Sequence, residues 1–253
     1  MKKLLSLVLS TLLIMSVFAC IPVNALEEEI IPQVADQSVA VFDEGEATYN
    51  TVLTTKSTTA GEVLTWECDG EADSYDVYRR DAGAKEAVKL ANVTEKTYTD
   101  VNVKNNTYYN YYVVAVKEGV ETTPSAVVLT RHFDAPATVK AVNGVKFTEI
   151  TWTSVEGALS YDVYVRGAGQ VDYSLVVSGA KGNGPVFYAE TQTGSYYRFA
   201  VVARCGKYVG ALNTNGPVLK VVKTPTLISA TNGANGVVVK WNAVPGATGY
   251  NVY

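Results

Sequence analysis

The sequence predicts an all-β protein assembled from repeated modules, and three observations lead there. Its 17 tyrosines against 6 phenylalanines, with 47% hydrophobic and 18% charged residues, favour aromatic and β-branched strands around buried cores. Apolar residues recur with a period of two, as at Leu64/Trp66, Ile150/Trp152 and Val237/Val239/Trp241, the pattern of a strand with one buried face. Trp66, Trp152 and Trp241 stand 86 and 89 residues apart inside matching sequence frames, the mark of an internal repeat.

The amino-terminal segment comes first. Lys2 and Lys3 precede the apolar run Leu4 to Ala19, and Val23-Asn24-Ala25 supplies small residues for cleavage. Residues 1–25 therefore read as a secretory signal peptide, with the mature chain starting at Leu26, secreted or on the cell surface. The run is short for a bilayer span of about 20 residues. Val17-Phe18-Ala19-Cys20 loosely follows a bacterial lipoprotein box, although Phe18 fits it badly, so a lipid anchor at Cys20 is the second reading. No other membrane contact is expected. Residues 26–49 form an acidic lead-in containing Glu27-Glu28-Glu29, expected to be extended and poorly ordered.

The repeat frames follow. Each Trp is followed six residues on by Ala72, Ala158 or Ala247, and nine residues on by Tyr75, Tyr161 or Tyr250. That Tyr opens Tyr75-Asp76-Val77-Tyr78, Tyr161-Asp162-Val163-Tyr164 or Tyr250-Asn251-Val252-Tyr253. Upstream, Asn143-Gly144 and Asn232-Gly233 favour tight turns between antiparallel strands. Pro136 and Pro225 suit a strand's first residue or an edge. Downstream, Tyr109-Asn110-Tyr111-Tyr112-Val113-Val114-Ala115 matches Tyr197-Arg198-Phe199-Ala200-Val201-Val202-Ala203.

These residues resemble fibronectin type III modules over about residues 50–253. The resemblance implies tandem immunoglobulin-like sandwiches of seven strands in two sheets, with the Trp in the second strand and the Tyr-x-Val pair in the third. The second Tyr motif would open the sixth strand as a tyrosine corner. Modules are expected at 50–131 and 134–223, and a truncated third at 224–253 that stops inside its third strand. Residues 224–253 alone are not expected to form a stable unit, and the native polypeptide is expected to continue past Tyr253. The first repeat departs from the others, with Asn50 where Pro would stand and no Asn-Gly turn. The same topology sets Cys68 and Cys205 about a module apart, too far to pair.

Candidate functional residues are few. The Trp and Tyr-x-Val side chains alternate with polar ones and read as core. Tyr78 and Tyr112 are expected to point outward on neighbouring strands, and they form the candidate ligand-binding pair. Module 2 has Tyr164 opposite the small Ala200, so the pair is not repeated. The single histidine, His132 in Arg131-His132-Phe133-Asp134, reads as a solvated linker residue. Asp43/Glu44 and Asp69/Glu71 read as solubilising charges in a tail and a loop. Asn92-Val93-Thr94 and Asn105-Asn106-Thr107 match a glycan-acceptor pattern that matters only in a host able to use it.

No metal site is expected, because no CxxC or His-bearing ligand set exists. No catalytic residue or cofactor is expected, because no suitably spaced Ser or Cys motif accompanies His132 and the paired carboxylates sit in a tail and a loop. A net charge of −4 argues against nucleic acid as a partner. Extracellular protein or glycan remains as the partner class. The sequence thus reads as a non-catalytic secreted or surface protein whose modules act as spacers or weak binding units. The alternative is the accessory amino-terminal part of a secreted polysaccharide-degrading enzyme, its catalytic domain beyond residue 253.

Overall fold

The computed structural model describes residues 48–253. The signal segment 1–25, Cys20, Asp43/Glu44 and most of the acidic lead-in lie outside the described residues. Among the described residues all regular structure is β, in 18 strands.

Module 1 contains β1 (Thr51–Thr58), β2 (Gly61–Cys68), β3 (Ser74–Asp81), β4 (Val88–Val93), β5 (Thr97–Asp100), β6 (Thr107–Lys117), β7 (Val120–Glu121) and β8 (Val128–His132). One sheet has the order β1-β2-β5. The other runs β4-β3-β6, with both β7 and β8 paired to the far edge of β6. Hydrogen bonds Thr122 N to Ala115 O and Ser125 N to Val113 O bridge the gap between them. β7 and β8 therefore act as one interrupted last strand, giving three strands facing four. This is the two-sheet sandwich that the resemblance implied.

Module 2 repeats the plan with β9 (Val139–Asn143), β10 (Thr148–Trp152), β11 (Ser160–Gly167), β12 (Ser174–Ala180), β13 (Val186–Tyr188), β14 (Tyr196–Cys205), β15 (Tyr208–Val209) and β16 (Val218–Lys220). Its sheets are β13-β10-β9 and β12-β11-β14, again with a split last strand on β14. A third repeat opens with the hairpin β17 (Leu227–Gly233) and β18 (Gly236–Trp241).

The period of two decides what each sheet buries. Leu53, Leu64 and Trp66 from one sheet meet Tyr75, Val77, Tyr109, Tyr111 and Val113 from the other. Ile150 and Trp152 meet Tyr161, Val163, Phe199 and Val201 in the same way. Each Trp packs on the Tyr nine residues later, at ring-centroid distances of 5.5, 5.3 and 5.3 Å in the three repeats; Tyr75 and Tyr161 lie in the following strand, and Tyr250 lies outside any strand. The tyrosine corner is present twice. Tyr109 Oη accepts from Lys104 N at 2.9 Å, and Tyr197 Oη accepts from Gln192 N at 3.0 Å. A polar tip thereby stays satisfied on a ring packed against the core.

One local expectation needs amendment. Asn143-Gly144 and Asn232-Gly233 do join antiparallel strands, but Asn232 and Gly233 are still paired within the ladder, and Gly236 rather than Gly233 takes the positive φ. The opening strand of module 1, lacking both Pro and Asn-Gly, nevertheless pairs with β2 over its full eight residues.

Candidate functional site

Tyr78 and Tyr112 occupy paired positions on β3 and β6 and point away from the core. Their rings stack 4.8 Å apart at an interplanar angle of 7°. Tyr78 Oη donates to Glu121 Oε1 at 2.6 Å, tying the centre of the sheet to the start of its last strand. That hydrogen bond first, and burial second, hold the Tyr78 phenol well above its ordinary value of 10.0. A raised value means that the bond's contribution to stability is complete below pH 10 and is lost as pH climbs through the raised value. Ultraviolet titration of Glu121→Gln is expected to show one tyrosine returning towards the ordinary range. A titration curve identical to the parent's would sever Tyr78 from Glu121. In module 2 the equivalent pair is Tyr164 and the fully buried Ala200, so no second stack forms.

His132 is not a solvated linker residue. It ends β8 with 2% of its side chain exposed, and its Nδ1 lies 2.9 Å from Oε2 of Glu62, which is fully buried in β2. The same carboxylate accepts from Ser57 Oγ at 2.8 Å and Thr130 Oγ1 at 3.0 Å. Asp134 Oδ1 stands 3.4 Å from His132 Nε2 at the surface. Burial follows from pairing: an ionisable group is tolerated in a core when its polar atoms all have partners. Next to Glu62 across the sheet is Asp100, which accepts from Tyr111 Oη at 2.8 Å and Arg79 Nη1 at 2.7 Å.

Ser57, Glu62 and His132 are the residue types of a nucleophilic triad, but their geometry is not one. The serine and the imidazole both bond the same carboxylate oxygen, so the imidazole does not stand between hydroxyl and carboxylate as a general base must. All three are almost fully buried. The cluster fastens β1, β2 and β8 together. Glu62 was legible in part, because it shares the inward parity of Leu64 and Trp66.

The Asp of Tyr-Asp-Val-Tyr is a second role that spacing did not reveal. Asp76 and Asp162 point to the outer face, yet both are buried. Asp76 takes Asn92 Nδ2 at 2.5 Å and the Lys89 ammonium. Asp162 takes Ser178 Oγ at 2.9 Å, Gly179 N at 3.0 Å and the Arg204 guanidinium. Asp162 sits where β12 slips register and takes the Gly179 N–H there, whereas Asp76 lies one residue before the slip of β4 and is held by side chains of that edge strand. Burial works to raise the Asp76 carboxyl, and the Lys89 and Asn92 hydrogen bonds outweigh it, holding it below the usual carboxylate range.

The two modules meet around Arg131, which is 3% exposed. Its guanidinium lies over Tyr108 at 4.8 Å and over Phe133 at 5.0 Å. Nη1 donates to Cys205 Sγ at 3.0 Å across the junction, and Nη2 donates to Asn106 Oδ1. Tyr108 also packs edge-on against Tyr208 of module 2 at 5.6 Å. Asn105 Nδ2 donates to Glu156 O at 3.3 Å, again from module 1 to module 2. Phe133, fully buried, belongs to the core of module 2, and its carbonyl accepts from Ala211 N at 2.9 Å. Cys205 thus faces module 1, while Cys68 at the other end of module 1 is a free thiol. Among the described residues, no group of three or more His, Cys, Asp or Glu side chains is placed to hold a metal ion.

No family model matches the chain. Among solved structures it is similar to the FN1–FN3 domains of chicken contactin CNTN1, at 14% identity and a TM-score of 0.40 over 70% of this chain and 69% of that one. It is also similar to a two-domain fibronectin type III segment of chicken tenascin, at 16% identity and a TM-score of 0.33 over 69% of this chain and all of that one. The all-β tandem sandwich itself follows from the strand orders and registers above.

Proposed function

We propose that the chain is an exported, non-catalytic spacer that holds its first two modules at a fixed angle. The junction carries this reading. Arg131, His132 and Phe133 are consecutive, yet they enter the interface, the core of module 1 and the core of module 2 respectively. No free linker residue separates the modules, whereas interfaces between mobile domains are joined by exposed, polar connections. The Tyr78–Tyr112 stack, on the outer face of module 1, is the contact point that this spacer offers to an extracellular protein or glycan.

Small-angle scattering on the chain from Leu26 to Tyr253 tests the spacer role. The parent is expected to fit a single inter-module angle, and Arg131→Ala is expected to need a spread of angles. A parent profile that already demands a broad ensemble would remove the spacer reading.

A further inference from the structure

The junction between modules 1 and 2 recurs, position by position, between module 2 and the third repeat. In module 1, Asn106 holds a left-handed φ of 59° and its N–H donates to His132 O at 2.8 Å. The matching residue of module 2 is Gly194, two before the Tyr196-Tyr197 pair as Asn106 is two before Tyr108-Tyr109. It has φ 91°, and its N–H donates to Val221 O at 2.8 Å. Arg131 lies over Tyr108, its partner across the β6–β8 ladder. Lys220 lies over Tyr196, its partner across the β14–β16 ladder, with Nζ 5.7 Å from the ring centroid. A cation over an aromatic face is held by the ring's quadrupole.

The following module answers with a glycine. Gly157 and Gly246 occupy one repeat position, each directly before the Ala that follows the Trp by six, and each has φ 80°. A Cβ on Gly157 would collide with the Asn106 amide. On Gly246 it would lie 2.9 Å from Gly194 Cα and 2.9 Å from Lys220 Cε. Both positions therefore demand glycine twice over, for backbone conformation and for close approach. At the same position module 1 carries Glu71, and there the lead-in residue Tyr49 covers the loop, its ring against Gly70 and its Oη donating to Glu71 O at 3.2 Å.

We infer that these four positions form a module–module docking code: a left-handed residue, a tyrosine and a cation on the leading module, and a glycine on the following one. The Tyr196–Lys220 end of module 2 is an interaction surface whose occupant is the Pro245-Gly246 loop of the third repeat. This rests on the spacer reading and extends it, since one junction geometry used twice makes each added module continue the same turn.

Amide residual dipolar couplings on the Leu26–Tyr253 chain test it. The parent is expected to fit one alignment tensor across modules 1 and 2 and the β17–β18 hairpin. Lys220→Ala leaves the glycine loop untouched, and it is expected to give β17–β18 a tensor of its own while modules 1 and 2 keep theirs. Gly246→Val should do the same, and Gly157→Val should release module 1 only. A parent whose hairpin already needs a separate tensor, or yields unstructured couplings, overturns the inference. So does a Lys220→Ala chain that retains the single tensor. Separate tensors for modules 1 and 2 beside a shared one for modules 2 and 3 would overturn the spacer reading while supporting the second junction.

Discussion

Trp152→Ala is expected to unfold or nearly unfold module 2 and leave module 1 folded. Trp152 is 4% exposed and contacts Tyr161 at the centre of the module 2 core. Truncating a buried Trp to Ala costs about 3–5 kcal/mol, against a total stability of about 5–15 kcal/mol for a domain. The indole Nε1 is buried with no hydrogen-bond partner among the described residues, so the side chain contributes by packing. Trp152→Phe should accordingly retain most of the stability that Ala loses. Thermal unfolding of the full chain, followed module by module through amide resonances, separates the cases. An unchanged midpoint for module 2 in Trp152→Ala would mean that the ring is not a core element.

Glu62→Ala is expected to have an effect of the same size in module 1. It strands His132, Ser57 and Thr130 together, leaving three polar groups facing an apolar gap. Each buried polar group left without its partner costs about 1–3 kcal/mol, whereas an exposed pair contributes about 0–1 kcal/mol. That separation decides the matter in one denaturation series. A loss within the exposed-pair range would show that water reaches the cluster. Glu62→Gln keeps one acceptor oxygen and is expected to fall between the parent and Ala. The module 2 counterpart of Glu62 is Thr148, whose hydroxyl lies 3.5 Å from that of Thr191. The buried carboxylate cluster is therefore a property of module 1, and equivalent substitutions in module 2 carry no such penalty.

These two sites show what the sequence makes legible and what it hides. Trp152 was readable because its evidence is local: alternation with Ile150, the matched spacing of three tryptophans, and the Tyr nine residues on. The sandwich followed from the same local signals, repeated. His132 was misread for a physical reason. Its neighbours Arg131 and Asp134 are charged and Pro136 follows closely, so the segment has the composition of a solvated connection. What buries it is Glu62, 70 residues earlier in the chain, and no local pattern reports such a partner. Asp76 and Asp162 were hidden by parity itself. Period two assigns them to the outer face, which is correct, but donors on the edge strands β4 and β12 cover them. The Tyr78–Tyr112 stack was visible as a pairing, and its tether to Glu121 was not, since β7 lies beyond the matched frames.

The path of the chain through the junction also sets how it would carry tension. A pull on module 2 arrives at module 1 along β8, because Phe133 is anchored in the far core and His132 in the near one. β8 runs antiparallel to β6, with Val128 to His132 facing Tyr111 to Thr107. Load along that axis strains the backbone hydrogen bonds of the ladder sideways and together, not one at a time from an end. The Glu62 carboxylate adds a transverse rivet at the strand's last residue, where shearing would have to begin. Forced extension would then be limited by a barrier to unfolding and not by the equilibrium stability of either module.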